Sequence, residues 1–164
     1  MLRLFLISAI VVVIDQATKL LTKEYMRLGM SKQVLGNFVR YTYIENTGMA
    51  FGISIGNRTF FTIFSIIASA IILAYLFKTR SDRFFVRLSL ALILGGAIGN
   101  LIDRVFYGSV VDFIDIGIGS LRWPVFNVAD IAVTGGMIIL LSLIIFERDR
   151  GKTHTHNTQP DPLN

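Results

Sequence analysis

The stretch GSVVDFIDIGIGSLRWPVFNVADIA, residues 108–132, sets three carboxylates, Asp112, Asp115 and Asp130, among valines, isoleucines and phenylalanines. An ionised carboxylate in such surroundings is costly unless hydrogen bonds or opposite charge stabilise it. Asp130 stands at the head of an apolar run that ends at Phe146. With a lead-in at residues 124–127, that run is long enough to cross a bilayer. Pro124 suits a first helical turn and Asn127 a cap. The stretch therefore reads as a surface connection feeding a membrane span. Two of its carboxylates are a candidate catalytic pair, and Asp112 is one of them.

Working outward, the rest of the chain has the same membrane character. The 164 residues are 53% hydrophobic and 16% charged, with a mean hydropathy of +0.63. Soluble domains carry more charge, and here the apolar residues fall in blocks. Four spans are predicted, at about residues 2–21, 59–77, 88–104 and 125–146, within a single domain of residues 1–150. Residues 24–57 contain the β-branched, aromatic run FVRYTYI at 38–44 and a turn at Glu45 to Gly48. The expected fold is a mainly α membrane protein: four transmembrane helices, a small extracytoplasmic β-sheet, and a short interfacial segment between helices three and four. The polar tail, residues 151–164, holds Pro160 and Pro162 and reads as disordered.

Several function classes drop out. The chain has no cysteine, which removes disulfides, thiolate catalysis and cysteine–zinc sites. A net charge of +5 without interleaved basic and aromatic residues fits orientation signals and phospholipid headgroups, not nucleic acid. Asp15, Gln16 and Lys19 close the first apolar run without a small-residue cleavage pattern, unlike a removable leader. His154 and His156 lack further ligands, so no metal is expected.

Orientation and depth bring the polar residues together. The basic loop at 78–87, with Arg3, Arg148, Arg150 and Lys152 on the same side, places both termini in the cytoplasm. At 1.5 Å per residue, Asp15 then lies about 20 Å along span one, and Asn100 and Arg104 about 18 and 24 Å along span three. Asp15, Lys19, Asn100, Asp103, Arg104, Asp112, Asn127 and Asp130 all reach one level at the outer face, while span two delivers nothing polar. Such a convergence marks a site. Two carboxylates brought close share one proton, which suits general acid–base chemistry. The dipole of the fourth helix favours Asp130 as the anion, leaving Asp112 as the proton carrier. Asp115 competes with Asp112 on spacing alone. Asp15 and Lys19, one helical turn apart, can form an ion pair. Other readings are a small proton-coupled transporter using Asp15, Lys19 and Asp130, and a lipid-binding scaffold. The first lacks a polar path through the inner halves of the spans, and the second leaves two carboxylates at one level unexplained.

Five motifs then carry a resemblance: Asp15-Gln16-Ala17-Thr18-Lys19, Glu45-Asn46-Thr47-Gly48-Met49-Ala50-Phe51, Gly99-Asn100-Leu101-Ile102-Asp103-Arg104, Val110-Val111-Asp112-Phe113 and Phe126-Asn127-Val128-Ala129-Asp130. In this order, on a four-span chain, they resemble bacterial lipoprotein signal peptidase, the signal peptidase II family. The resemblance implies a metal- and cofactor-independent aspartic endopeptidase of the cytoplasmic (inner) membrane. Its substrates would be diacylglyceryl-modified prolipoproteins, cleaved before the lipidated cysteine. It implies that Asp112 and Asp130 are the catalytic pair, with Asn100, Arg104, Asn46 and Asn127 as substrate-side contacts. Asp15, Lys19, Gly48, Asp103 and Ala129 would support them. A monomer embedded in phospholipid is expected.

Overall fold

The computed structural model describes residues 2–50, 53–54, 58–78 and 84–156. In chain order the elements are α1 (Leu2–Tyr25), β1 (Ser31–Leu35), β2 (Val39–Asn46), β3 (Met49–Ala50), β4 (Ile53–Ser54), α2 (Arg58–Lys78), α3 (Phe84–Phe106), β5 (Val110–Ile118), β6 (Leu121–Arg122) and α4 (Val128–His156). Among the described residues, four segments are long and apolar enough to cross a membrane: Leu2–Tyr25, Thr59–Lys78, Phe84–Phe106 and Val128–Phe146. Their exposed faces are dominated by large apolar side chains such as Ile10, Phe64, Ile71, Ile138 and Ile144, the pattern of helices solvated by lipid. The chain is a multi-pass membrane protein.

Helix α3 is the hub, packing on α1, α2 and α4. Small residues allow the close approach. A Cβ added at Gly96 would collide with the Ala129 carbonyl oxygen of α4, and one at Gly99 would sit 2.6 Å from Asp15 Oδ2 of α1. With little hydrophobic drive between helices in lipid, such backbone-to-backbone contact supplies the packing. Leu4, Leu76, Leu90, Ala91 and Leu94 form an apolar cluster where α1, α2 and α3 meet. Further along α3, on a different face from this cluster, Asn100 and Asp103 are both buried.

Several boundaries move. Helix α1 runs to Tyr25 and α3 starts at Phe84, so each continues past the predicted span into residues that carry charge. Charged side chains at helix ends reach toward the interface and need not end the helix. Helix α4 starts at Val128 with Asn127 outside it, and it is continuous to His156, into the segment read as a disordered tail. Residues 157–164 of that segment lie outside the described residues.

The sheet is larger than expected, because the connection between α3 and α4 is itself a strand. Nine residues of it form β5, in an antiparallel sheet of order β1-β2-β5-β6. Residues 110–113 and 115 of β5 are buried, so no polar–apolar alternation marked it as a strand. Its register on β2 sets Ile44 opposite Asp112 and Asn46 opposite Val110, with a slip between Tyr41 and Ile44. On its other side the amides of Phe113 and Ile114 both donate to the Phe126 carbonyl, at 3.0 and 2.8 Å. Two amides on one acceptor are the mark of a bulge, a device common beside active sites. The bulge lies between Asp112 and Asp115. It draws residue 126 against the strand and so delivers the start of α4 to Asp112.

Candidate active site

Asp112 and Asp130 arrive from different elements and meet across one side chain, that of Asn127. Asn127 caps α4. Its Oδ1 accepts from the Asp130 amide at 3.0 Å, while Asp130 Oδ2 accepts from the Asn127 amide at 3.2 Å. This reciprocal capping box closes the first turn and fixes the Asp130 side chain against it. With Oδ1 so engaged, Asn127 Nδ2 points the other way and donates to Asp112 Oδ1 at 2.6 Å. Asn127 is fully buried, so both orientations are set by the protein and not by water.

The remaining carboxylate oxygens are also held. Asn46 Nδ2 donates to Asp112 Oδ2 at 3.0 Å, and Asn46 Oδ1 accepts from the Gly48 amide at 2.9 Å. Gly48 has φ of 114°, and a Cβ there would strike the Phe61 ring. Glycine alone permits both the backbone angle and the contact. Asn100 Nδ2 donates to Asp130 Oδ1 at 2.8 Å. The Asn100 oxygen accepts from Lys19 Nζ at 2.8 Å and from Asn127 Nδ2 at 3.1 Å. Since Lys19 can only donate, it dictates which end of the Asn100 amide faces Asp130.

Beneath the pair lies a buried ionic network. Lys19 Nζ touches Asp15 Oδ2 at 2.8 Å and Asp103 Oδ2 at 3.0 Å, so with Asn100 its three donors are all engaged. The expected pairing of Asp15 with Lys19 is present; Asp103 pairs with Lys19. Each carboxylate has a second duty. Asp15 Oδ1 accepts from the amide of Ala129 at 2.9 Å, and Asp103 Oδ2 from the amide of Val111 at 3.1 Å. Ala129 and Val111 are the residues immediately before Asp130 and Asp112. One lysine therefore ties together the two backbone anchors of the pair.

Arg104 points elsewhere, with Nη1 donating to Ser65 Oγ at 3.2 Å and to the Asn100 carbonyl at 3.4 Å. It lines a cleft of about 400 Å³ between α2, α3 and α4 that also reaches Asp130. Ser65 corrects the reading that span two delivers nothing polar. Its hydroxyl donates to its own helix at Phe61 O, at 2.8 Å, which makes it inconspicuous in a span, yet its oxygen still accepts from Arg104. Gln16 was also missed as a site residue. Its Nε2 reaches Asp103 Oδ1 and the Gly99 carbonyl, each at 3.0 Å. An amide inside an apolar span was the available signal. Asp115 is engaged away from the pair, by Thr42 Oγ1 at 2.8 Å and by the Arg122 guanidinium.

Asp112 is 2% exposed. Burial pushes its carboxyl up to about 7, and the nearby charge of Asp130 pushes the same way. Hydrogen bonds from Asn46 and Asn127 and the charge on Lys19 oppose the rise. The site therefore offers one carboxyl that holds a proton near neutrality beside one that accepts hydrogen bonds from Asn100 and a helix N-terminus.

This has a cost in stability, with a definite sign. The folded carboxyl titrates at about 7 against 3.8 when unfolded, so between those values the unfolded chain gives up the proton first. Stability contributed by Asp112 is therefore lost as pH rises from about 4 to about 7, on the order of 4 kcal/mol in all. Thermal unfolding in detergent at a series of pH values should show Asp112→Asn gaining on the parent across that window. A difference in melting temperature that does not change with pH would contradict it.

The comparisons agree with one another. The family model described as signal peptidase (SPase) II matches residues 7–146. A protein of Syntrophus aciditrophicus named lipoprotein signal peptidase is 42% identical over 144 residues, covering 84% of this chain and 89% of that protein. The protein of the same name from Moorella thermoacetica is 44% identical over 135 residues, covering 82% and 87%. That of Staphylococcus aureus strain MRSA252 is 37% identical, covering 90% of each. Two solved structures, both described as bacterial membrane enzymes determined by the in meso method, superpose with TM-scores of 0.76 and 0.77. The first is 34% identical and covers 99% of this chain and 94% of its own; the second is 38% identical and covers 87% and 92%. With most of its length matched by the family model and by relatives at this identity, the chain belongs to the signal peptidase II family.

Proposed function

We propose that the chain removes signal peptides from lipid-modified prolipoproteins by aspartic, metal-independent chemistry, with Asp112 and Asp130 as the catalytic pair. The observation that carries this is the bridging of the two carboxyls by Asn127, with one of them titrating at about 7. Asp130 takes a proton from water as the water oxygen attacks the carbonyl carbon before the lipidated cysteine. Asp112 donates a hydrogen bond and then its proton to the carbonyl oxygen, neutralising the developing charge. When the C–N bond breaks, the proton on Asp130 passes to the leaving amine and the gem-diol proton returns to Asp112. The enzyme ends as it began.

Asn100, Asn46 and Asn127 hold the carboxyls, and Arg104 supplies a cation at the mouth of the cleft beside Asp130 for the polar linkage of the lipid or the peptide backbone. Asp15, Lys19, Asp103, Gly48 and Ala129 support that geometry. The dense basic loop at 78–87 favours cytoplasmic termini and an outward-facing site in the bacterial inner membrane. The chain works as a monomer among phospholipids, since the buried Lys19, Asp15, Asp103, Asn100 and Asn127 find their partners within one bundle. The transporter reading is not favoured, because the relatives are named as peptidases.

The test is release of signal peptide from a diacylglyceryl-modified precursor by the detergent-purified protein. The unlipidated precursor should be cleaved poorly, and chelator should leave the rate unchanged. Equal turnover of both precursors removes the lipid requirement; inhibition by chelator removes the metal-free mechanism.

A further inference from the structure

Two clefts reach Asp130, and a third comes within one residue of Asp112 through Asn46. One of about 450 Å³ follows α4 past Phe126, Asp130, Ile131 and Ile138. The second is the cleft of about 400 Å³ around Arg104 and Asp130. Both open largely among span residues. The third, about 790 Å³, lies over the sheet, outside the spans, and no step of the proposed chemistry uses it. It runs from Asn46 and Thr47 at the end of β2, past Asp115, to Leu121, Trp123 and Pro124. Its size is that of a ligand cleft, typically about 300–1,000 Å³. Asn46 joins it to the chemistry, since it lines the cleft and donates to Asp112 at 3.0 Å. Trp123 lines both this cleft and the one along α4, standing between the aqueous compartment and the apolar one.

A precursor cleaved before a lipidated cysteine also has three arms at its reacting centre. They are the signal helix on the amino side, the thioether-linked diacylglycerol, and the mature polypeptide on the carboxyl side. The first two are apolar and belong in the lipid zone. The third is extended at the reacting bond, and its amides and carbonyls have no helix to satisfy them there. Such a backbone cannot run through hydrocarbon without unpaired polar groups. Of the three clefts, only the one over the sheet lies outside the spans. Its walls include Thr47, whose hydroxyl can both donate to and accept from a backbone, beside Asn46, which already holds Asp112. Its rim carries Leu121 and Trp123, 81% and 64% exposed, as apolar surface for alternate side chains.

We propose that this cleft binds the first residues of the mature polypeptide, the extended segment following the lipidated cysteine. The assignment rests on the peptidase reading and names where the product's new N-terminal segment lies. It makes Leu121 and Trp123 determinants of how well a precursor with a given mature N-terminus is processed.

Two lipidated substrates with one signal sequence test it, one ending as an amide just after the cysteine and one continuing into mature sequence. The parent should process the longer with kcat/KM about tenfold higher, the worth of one or two added hydrogen bonds. Leu121→Asp at the rim, and Val125→Trp at a residue that also lines the cleft, should bring the ratio of the two substrates toward one, each variant serving as its own reference. A photo-crosslinking side chain at position 121 should capture the mature segment, a result independent of turnover. Equal kcat/KM for the two substrates in the parent overturns the proposal, as does capture of the signal sequence alone at position 121. Failure of the parent to cleave either substrate overturns this proposal together with the peptidase reading beneath it.

Discussion

Asp112→Asn and Asp130→Asn should each lower kcat for signal-peptide release by about 10⁴-fold, with KM nearly unchanged. Both variants keep the shape of the site and remove its proton traffic. An amide at 112 cannot give a proton to the carbonyl oxygen, and an amide at 130 cannot take one from water. Each loss also touches the scaffold, since Asp112 accepts from Asn46 Nδ2 on one oxygen and from Asn127 Nδ2 on the other. Asp130 accepts from both Asn100 Nδ2 and the Asn127 amide, so an asparagine there must turn an N–H toward a donor and loosen the start of α4. The parent's own pH profile carries the same logic. The proton on Asp112 is lost as pH rises through about 7, so kcat/KM should fall on the alkaline side from that point. An acid limb follows where Asp130 takes up a proton. Turnover within tenfold of the parent in either variant, or a rate flat across the neutral range, would remove the pair from the mechanism.

Lys19→Met is the second large effect. The ammonium is buried and divides its three donors among Asp15, Asp103 and Asn100. Removing one member of a buried ionic cluster leaves the others uncompensated, at a cost of about 3–5 kcal/mol. The variant should melt well below the parent in detergent. It should also lose activity beyond what partial unfolding explains, because Asn100 loses the contact that orients its amide toward Asp130. Temperature separates the two effects. Well below its own melting temperature the variant is folded, whereas the misdirected amide persists, so kcat should stay low there. A variant with full turnover in that range would reduce Lys19 to a structural counter-ion.

Much of this was legible in the sequence, for identifiable reasons. Apolar runs of span length announce themselves; counting 1.5 Å per residue set the depth of Asp15 and Asn100, and the order of the spans brought Asp112 and Asp130 to the same end. What depth cannot supply is azimuth. Asp103 could be placed beside Arg104 in the chain, but successive helical residues point about 100° apart, and the two diverge to Lys19 and to Ser65. Strand β5 was hidden for a related reason. The aspartates interrupt its apolar pattern, while burial of most of its residues removes the alternation that would have marked it. Its longest pairing is with β2, more than sixty residues away, and a single sequence does not display pairing. The choice of Asp112 over Asp115 rested on motif alone. The geometry adds a physical ground, since Asp115 is taken up by Thr42 and Arg122.

The single lysine beneath the pair also bears on how such a protein is made. A membrane chain is delivered to the bilayer from its N-terminus, so Asp15 and Lys19 enter lipid early, paired only with each other. Asn100, the amide that Lys19 engages, is 81 residues behind it, and the Ala129 amide that Asp15 anchors is 114 residues behind. The final partner is thus supplied by the last helix. A nascent chain with three helices inserted has Asp112 without Asp130 or Asn127, and so lacks the proposed pair. With Asp112 and Asp130 as the proposed pair, completion of insertion and onset of catalysis become one event, and such a protease is harmless to its surroundings until it is whole.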